Sequence, residues 1–150
     1  MTKKIDVSLA KTVTGSSYPA PYGEPCKERF RRRLAEAGGL TQFGVNLTRL
    51  PAGAWSSQRH WHALEDEFIY VVDGELVLVT DDGEEILRAG DCAGFKSGAP
   101  DGHHLQNRSG RDALYLEVGS RHPQEEVVYP DIDLAIKNGA GFCHRDGKPY

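Results

Sequence analysis

From Thr41 to Ser120 apolar and polar residues alternate with period two in short runs: VNLTRL, AWSSQRHWH, EFIYVV, ELVLVT, EEILR, CAGFK, HHLQN and ALYLEV. Such alternation sends successive side chains to opposite faces of a strand, and the runs predict about eight antiparallel strands. Asp73-Gly74, between EFIYVV and ELVLVT, and Asp82-Gly83, between ELVLVT and EEILR, are favoured turn dipeptides and predict hairpins at both places. Many short strands have many edges, and closing them into a barrel or two packed sheets hides those edges. The expectation is an all-β barrel over 41–120.

The flanks follow other patterns. Residues 1–24 are polar and broken by Gly15, Pro19, Pro21 and Gly23, which predicts an extended arm. Between Pro25 and Gly38, the residues Cys26, Phe30, Leu34 and Ala37 recur at spacings of four and three, predicting one short N-terminal helix. Its basic run, Lys27, Arg29, Arg31, Arg32 and Arg33, is interleaved with Glu24, Glu28 and Glu36 and reads as a solvated face. Residues 121–150 are irregular and aromatic-rich and predict a second arm wrapping the barrel or another subunit. One domain results, organised as 1–40, 41–120 and 121–150. Tyr18, Tyr22, Val128, Tyr129 and Ile132 have no local periodicity and need a surface to cover. They motivate the expectation of a homodimer in which the N-terminal arm or the Val127–Asp133 segment crosses to the partner.

Composition narrows the class. With 17 Gly and 8 Pro in 150 residues, coiled coils and long helical bundles are excluded. A chain of this length buries roughly 68–70% of its unfolded surface and needs no disulfide scaffold. The net charge of −4 gives no general attraction to nucleic acid or anionic lipid, so neither partner is expected. The three cysteines, Cys26, Cys92 and Cys143, are an odd number with no C-x-x-C pair. Together with the lack of a leader-like or membrane-length apolar run, they predict a cytoplasmic protein.

The informative chemistry is histidine. His60 and His62 share one face of a strand, so both imidazoles can chelate one ion, and Glu67 opens the next strand, beside them if the two pair. Glu65 has the same parity as Glu67 and is an alternative ligand. Of the adjacent His103 and His104, only one can point inward. Several buried imidazoles with a carboxylate and no cation would leave polar groups unsatisfied, which favours a metal site over a set of ordinary core histidines. Ser56 and Gln58 share parity with the first histidine pair and are candidates for lining the cavity, as is Tyr70. Tyr70 and Lys96 are proton carriers only if they face it.

Gly53, six residues, His60, one residue, His62, four residues, Glu67, six residues and Gly74 is similar to the first motif of the cupin superfamily, with one extra residue before His60. Gly90-Asp91, Gly98, His103, three residues and Asn107 resembles the second motif, although Lys96 stands where proline is usual and the approach to His103 is two residues longer. The resemblance covers about 45–120 and implies a cupin-type antiparallel double-stranded β-helix, a jelly-roll barrel. It carries the metal ligands over to His60, His62, Glu67 and His103. The implied cofactor is one divalent transition ion such as zinc, iron, manganese or nickel, and the implied partner is a small-molecule substrate. Single-domain metal cupins include sugar-phosphate isomerases, oxygenases, lyases and non-catalytic binding modules. An isomerase is the leading expectation.

Overall fold

The computed structural model describes residues 3–150. The strands are β1 (Thr12–Thr14), β2 (Phe30–Arg33), β3 (Phe43–Leu50), β4 (Trp61–His62), β5 (Glu67–Asp73), β6 (Glu75–Thr80), β7 (Gly83–Arg88), β8 (Cys92–Phe95), β9 (His104–Gln106), β10 (Ala113–Ser120), β11 (Val127–Val128), β12 (Ala135–Ile136) and β13 (Phe142–Cys143). One sheet runs β1-β2-β3-β10-β5-β8, and a second runs β7-β6-β9. A third, β13-β12-β11-β4, is built mostly from the C-terminal segment. All pairings are antiparallel.

The first two sheets close over one core. Leu50, Ile69, Val71, Ala113 and Tyr115 from the long sheet meet Leu76, Leu78, Leu87 and Leu105 from the shorter one. The alternation read from sequence governs this packing. On β5, Ile69 and Val71 are 6% and 0% exposed, whereas Phe68, Tyr70 and Val72 are each 41–42% exposed. Each fully buried aliphatic side chain in such a core contributes about 1.5–3 kcal/mol of transfer free energy.

Three expectations need correction. The helix predicted after Pro25 is a 3₁₀ turn over Glu24–Cys26, then strand β2, then one helical turn at Leu34–Ala37. Residues 30–33 pair with β3, Phe30 opposite Arg49 and Arg33 opposite Asn46, so tertiary strand pairing overrides a weak helical spacing. The Arg32 and Arg49 guanidinium groups lie 5.4 and 4.9 Å from the centre of the Phe30 ring. The basic run therefore has no helix face to lie on, and Arg29 is only 7% exposed. Next, Asp73-Gly74 makes no hairpin, because β5 and β6 belong to different sheets and the dipeptide carries the chain between them. The second turn does form a hairpin, Thr80 pairing with Gly83. Finally, within AWSSQRHWH only Trp61–His62 is a regular strand, and Trp55 and His60 make isolated bridges to Gln106 and His103.

The arms cover each other. Val127, Tyr129 and Leu134 form a second apolar cluster against Tyr18, Tyr22, Ile132, Ile136 and Phe142. Tyr18 lies 5.7 Å from Tyr129 and 5.4 Å from Phe142, ring centre to ring centre. The side chains of this cluster thus cover one another within the chain. Arg59 ties the C-terminal segment to the barrel through Asp131, Asp81 and the Gly102 carbonyl. The three cysteines are unpaired, and no described helix is long and apolar enough to cross a membrane.

Gly74 has φ +87°, and a Cβ there would lie 2.9 Å from the Ala113 Cα. Gly53 has a similar φ of +83° with open space around it. Gly53→Ala should cost about 1 kcal/mol from backbone strain alone, and Gly74→Ala about 3 kcal/mol because strain and collision add. Urea unfolding of both variants checks this, and equal losses would mean that the sheet crossing tolerates a side chain.

Candidate metal centre

Two backbone hydrogen bonds set the geometry. His60 N donates to the His103 carbonyl at 3.1 Å, and His103 N donates to that of His60 at 2.8 Å. Residues paired in this way project side chains to the same face, so the imidazoles stand side by side with ring centres 4.8 Å apart. Strand β4 then brings in His62, whose ring is 4.9 Å from that of His60. Glu67 enters at the first residue of β5, held between Gly119 of β10 and Phe95 of β8. Phe95 also stacks on His103, centre to centre at 3.6 Å, and fixes that ring's plane.

All three rings present Nε2 to one carboxylate oxygen. Glu67 Oε2 lies 2.6 Å from His103 Nε2, 3.2 Å from His62 Nε2 and 3.5 Å from His60 Nε2. The sequence alternatives separate here. His104 turns away, with Nδ1 2.9 Å from the Ser57 carbonyl and Nε2 3.0 Å from Gln106 Nε2. Glu65 lies behind His62, 3.8 Å from its Nδ1, and accepts a hydrogen bond from His122 N.

The donor chemistry fits a cation. His60 Nδ1 lies 2.8 Å from the Gln58 carbonyl, which can only accept, so Nδ1 carries the proton and a neutral ring turns the Nε2 lone pair toward Glu67. Two lone pairs facing each other need a proton or a metal between them. One carboxylate oxygen cannot accept from three rings at once, and buried His62 Nε2 has no hydrogen-bond partner. Three nitrogens and one oxygen suit zinc or another first-row transition ion better than calcium or magnesium.

Electrostatics reinforce the set. Burial opposes the Glu67 charge, yet the close approach of the His103, His60 and His62 imidazoles outweighs it and holds the carboxyl well below its usual range. Burial pushes the His103 and His104 imidazoles down. For His62 burial also acts downward, but Glu67, with Glu125 and Glu65 behind it, raises the net value. Glu125 was not foreseen. It comes from the C-terminal segment, is 6% exposed, lies 3.8 Å from His62 Nδ1 and accepts from the backbone N–H groups of Ala63 and Leu64. At that distance it makes no hydrogen bond to the ring, and its negative charge favours the protonated imidazole.

The centre opens into a cavity of about 260 Å³ lined by Ser56, Ser57, His104, Glu117 and Tyr129 among others. Of the proposed lining residues, Ser56 lies on this wall. Gln58 does not, because the chain bends between the two bridges and its side chain donates to the Tyr22 carbonyl at 2.7 Å. Tyr70 does not either: inward parity on β5 belongs to Glu67, Ile69 and Val71, and Tyr70 is 41% exposed on the outer face. Lys96 is exposed beside a smaller neighbouring pocket.

The geometry predicts that His62→Ala loses bound metal, from about one ion per chain to near none, while its melting curve stays cooperative because the apolar core does not include His62. His104→Ala should keep the metal. Elemental analysis of both purified proteins decides the point, and the reverse pattern would overturn the ligand set.

Comparison with known proteins agrees with this architecture. The cupin domain profile matches residues 46–119. The chain is 45% identical to a sugar phosphate isomerase of the cupin superfamily from Silicibacter pomeroyi, over 98% of this chain and 96% of that one, with a TM-score of 0.93. A protein from Acidithiobacillus ferrooxidans, assigned as a sugar phosphate isomerase, is 27% identical over 77% of this chain and 74% of that one, with a TM-score of 0.72. The polyketide cyclase RemF from Streptomyces resistomycificus shares the fold at 20% identity, over 88% and 87% of the two chains, with a TM-score of 0.67. No curated protein matches the chain. Likeness to the Silicibacter protein over almost the whole of both chains makes this a family relationship: the chain belongs to the cupin superfamily.

Proposed function

We propose that this protein is a metal-dependent isomerase that interconverts the aldose and ketose forms of a small phosphorylated sugar. The observation that carries the reading is the convergence of His60, His62, Glu67 and His103 on one point at the wall of a cavity. Full-length likeness to a sugar phosphate isomerase supports the choice of reaction. The four side chains would hold a divalent transition ion, which supplies Lewis-acid polarisation of a carbonyl or hydroxyl oxygen.

The chain's own residues supply the rest. The isomerisation moves one proton from a hydroxyl-bearing carbon to the adjacent carbonyl carbon, and a second from the hydroxyl oxygen to the carbonyl oxygen. A base must therefore reach two neighbouring carbons. Glu67 is engaged by three rings, which leaves Glu117 as the other carboxylate on the cavity wall. It follows buried Ala113 and Tyr115 on the inward row of β10 and is held by Arg31 Nε at 2.5 Å and Asn46 Nδ2 at 3.0 Å. In this reading Glu117 takes the carbon-bound proton, which exchanges with solvent on the carboxyl, and delivers a proton to the adjacent carbon. Burial pushes the Tyr129 phenol up, so it stays uncharged on the cavity wall.

Two measurements test the reading. Sugar-phosphate substrates assayed in deuterium oxide should gain one carbon-bound deuterium per turnover, and activity should disappear with chelator and return with the metal. Glu117→Gln should lower kcat by about 10²–10⁴ while keeping the metal. Full turnover by the chelated protein, or by Glu117→Gln, would exclude this mechanism. Failure of every aldose and ketose phosphate would favour a binding module.

A further inference from the structure

Among the described residues, Arg29 is a buried cation without an acidic partner. Its residue is 7% exposed and lies on the wall of the metal-centre cavity. Every acceptor that the structure gives it is a backbone carbonyl: Ser56 O from Nη1, and Gly15 O from Nη2 at 2.9 Å. Its Nε is buried with no hydrogen-bond partner. A guanidinium has five N–H donors, so most of its capacity is unspent. The two carboxylates on the same wall are already taken, Glu117 by Arg31 and Glu67 by the three imidazoles. Removing a cation from water is costly unless an anion or a full set of acceptors replaces the water, and two carbonyls do so only in part.

A second group lies on the same wall. Ser16 follows Gly15, the residue tied to Arg29 in both directions, since Gly15 N also donates to the Arg29 carbonyl at 2.8 Å. The Ser16 hydroxyl is buried, unpartnered and on the cavity wall. Both residues precede the stretch that matches the cupin domain, residues 46–119. The barrel carries the ligand set, and the N-terminal segment adds a cation and a hydroxyl beside it.

We propose that Arg29 and Ser16 form an anion subsite that binds the phosphate of the substrate while its sugar carbons face Glu117 and the metal ligands. This rests on the isomerase reading for the sugar, but not for the anion. Arginine suits a phosphate because its donors match the geometry of paired oxygens, and a serine hydroxyl completes the contact as a donor. The site selects phosphorylated over neutral sugars: an anion offsets the unpaired guanidinium, whereas a neutral sugar leaves it uncompensated.

The test uses the full chain with inorganic phosphate as the probe. Phosphate should bind one to one after chelator treatment, as followed by calorimetry, because the subsite does not depend on the metal. Arg29→Gln should weaken binding about tenfold or more, Arg29→Lys less, and Ser16→Ala by several-fold, with metal content unchanged in all three. In kinetics the Ser16→Ala and Arg29→Lys losses should fall on KM for the phosphorylated sugar. Unchanged phosphate affinity in folded Arg29→Gln overturns the proposal. If that variant does not fold, unchanged affinity in Ser16→Ala does so, and phosphate binding seen only with the metal present also overturns it. Arg29-dependent phosphate binding in a protein that isomerises no sugar phosphate sustains the subsite and refutes the reaction. Turnover with KM indifferent to Arg29 and Ser16 does the opposite.

Discussion

The interior of this barrel holds an apolar core and an ionisable cluster on the same side of the same strands, and the constraint that makes this workable is the register of β5. Glu67, Ile69 and Val71 all point inward, the first into the histidine cluster and the others into the core. Pairing on both sides, with β10 and β8, holds that register. A slip of one residue would turn Phe68, Tyr70 and Val72 inward and expel Glu67, so the fold's stability and the position of the carboxylate are one property. The large apolar side chains of the core therefore do part of the work of placing the ligand.

Burying so many polar groups beside an apolar core is tolerable only if each is directed. Gln58 fixes the proton of His60, Phe95 the plane of His103, and Glu125 stands behind His62. Glu125 itself is anchored by backbone N–H groups of the residues directly after His62. Such support is what keeps ligands within a fraction of an ångström of a productive geometry.

The arms are as much part of the site as the barrel is. Tyr129 and Glu125 come from the C-terminal segment, and Ser16 and Arg29 from the N-terminal one. Clustered aromatic rings give the arms a small apolar core of their own beside the cavity. A barrel that carries the His-Glu set, with flanking segments that shape the cavity, is a physical route by which one fold can serve several reactions.

Alternation along 41–120 predicted an antiparallel barrel, and the two histidine pairs, read with the resemblance to the cupin motifs, pointed to a His-Glu set, because strand periodicity and chelating spacing are local properties. The sequence also narrowed the ligand alternatives, yet only the backbone bridge between His60 and His103 separated His103 from His104, since which of two adjacent residues turns inward depends on a pairing 43 residues away. Three features were decided in tertiary structure alone. Phe30–Arg33 became a strand because β3 presented an unpaired edge, Asp73-Gly74 became a crossing because its flanking strands found partners in different sheets, and Gln58 left the cavity because the Tyr22 carbonyl lay within reach. The burial of Arg29 and Glu125 was likewise invisible in the chain, where each looked like one more surface charge. Short-range patterns record which face a residue prefers, but which distant group meets it there is set by how the sheets close.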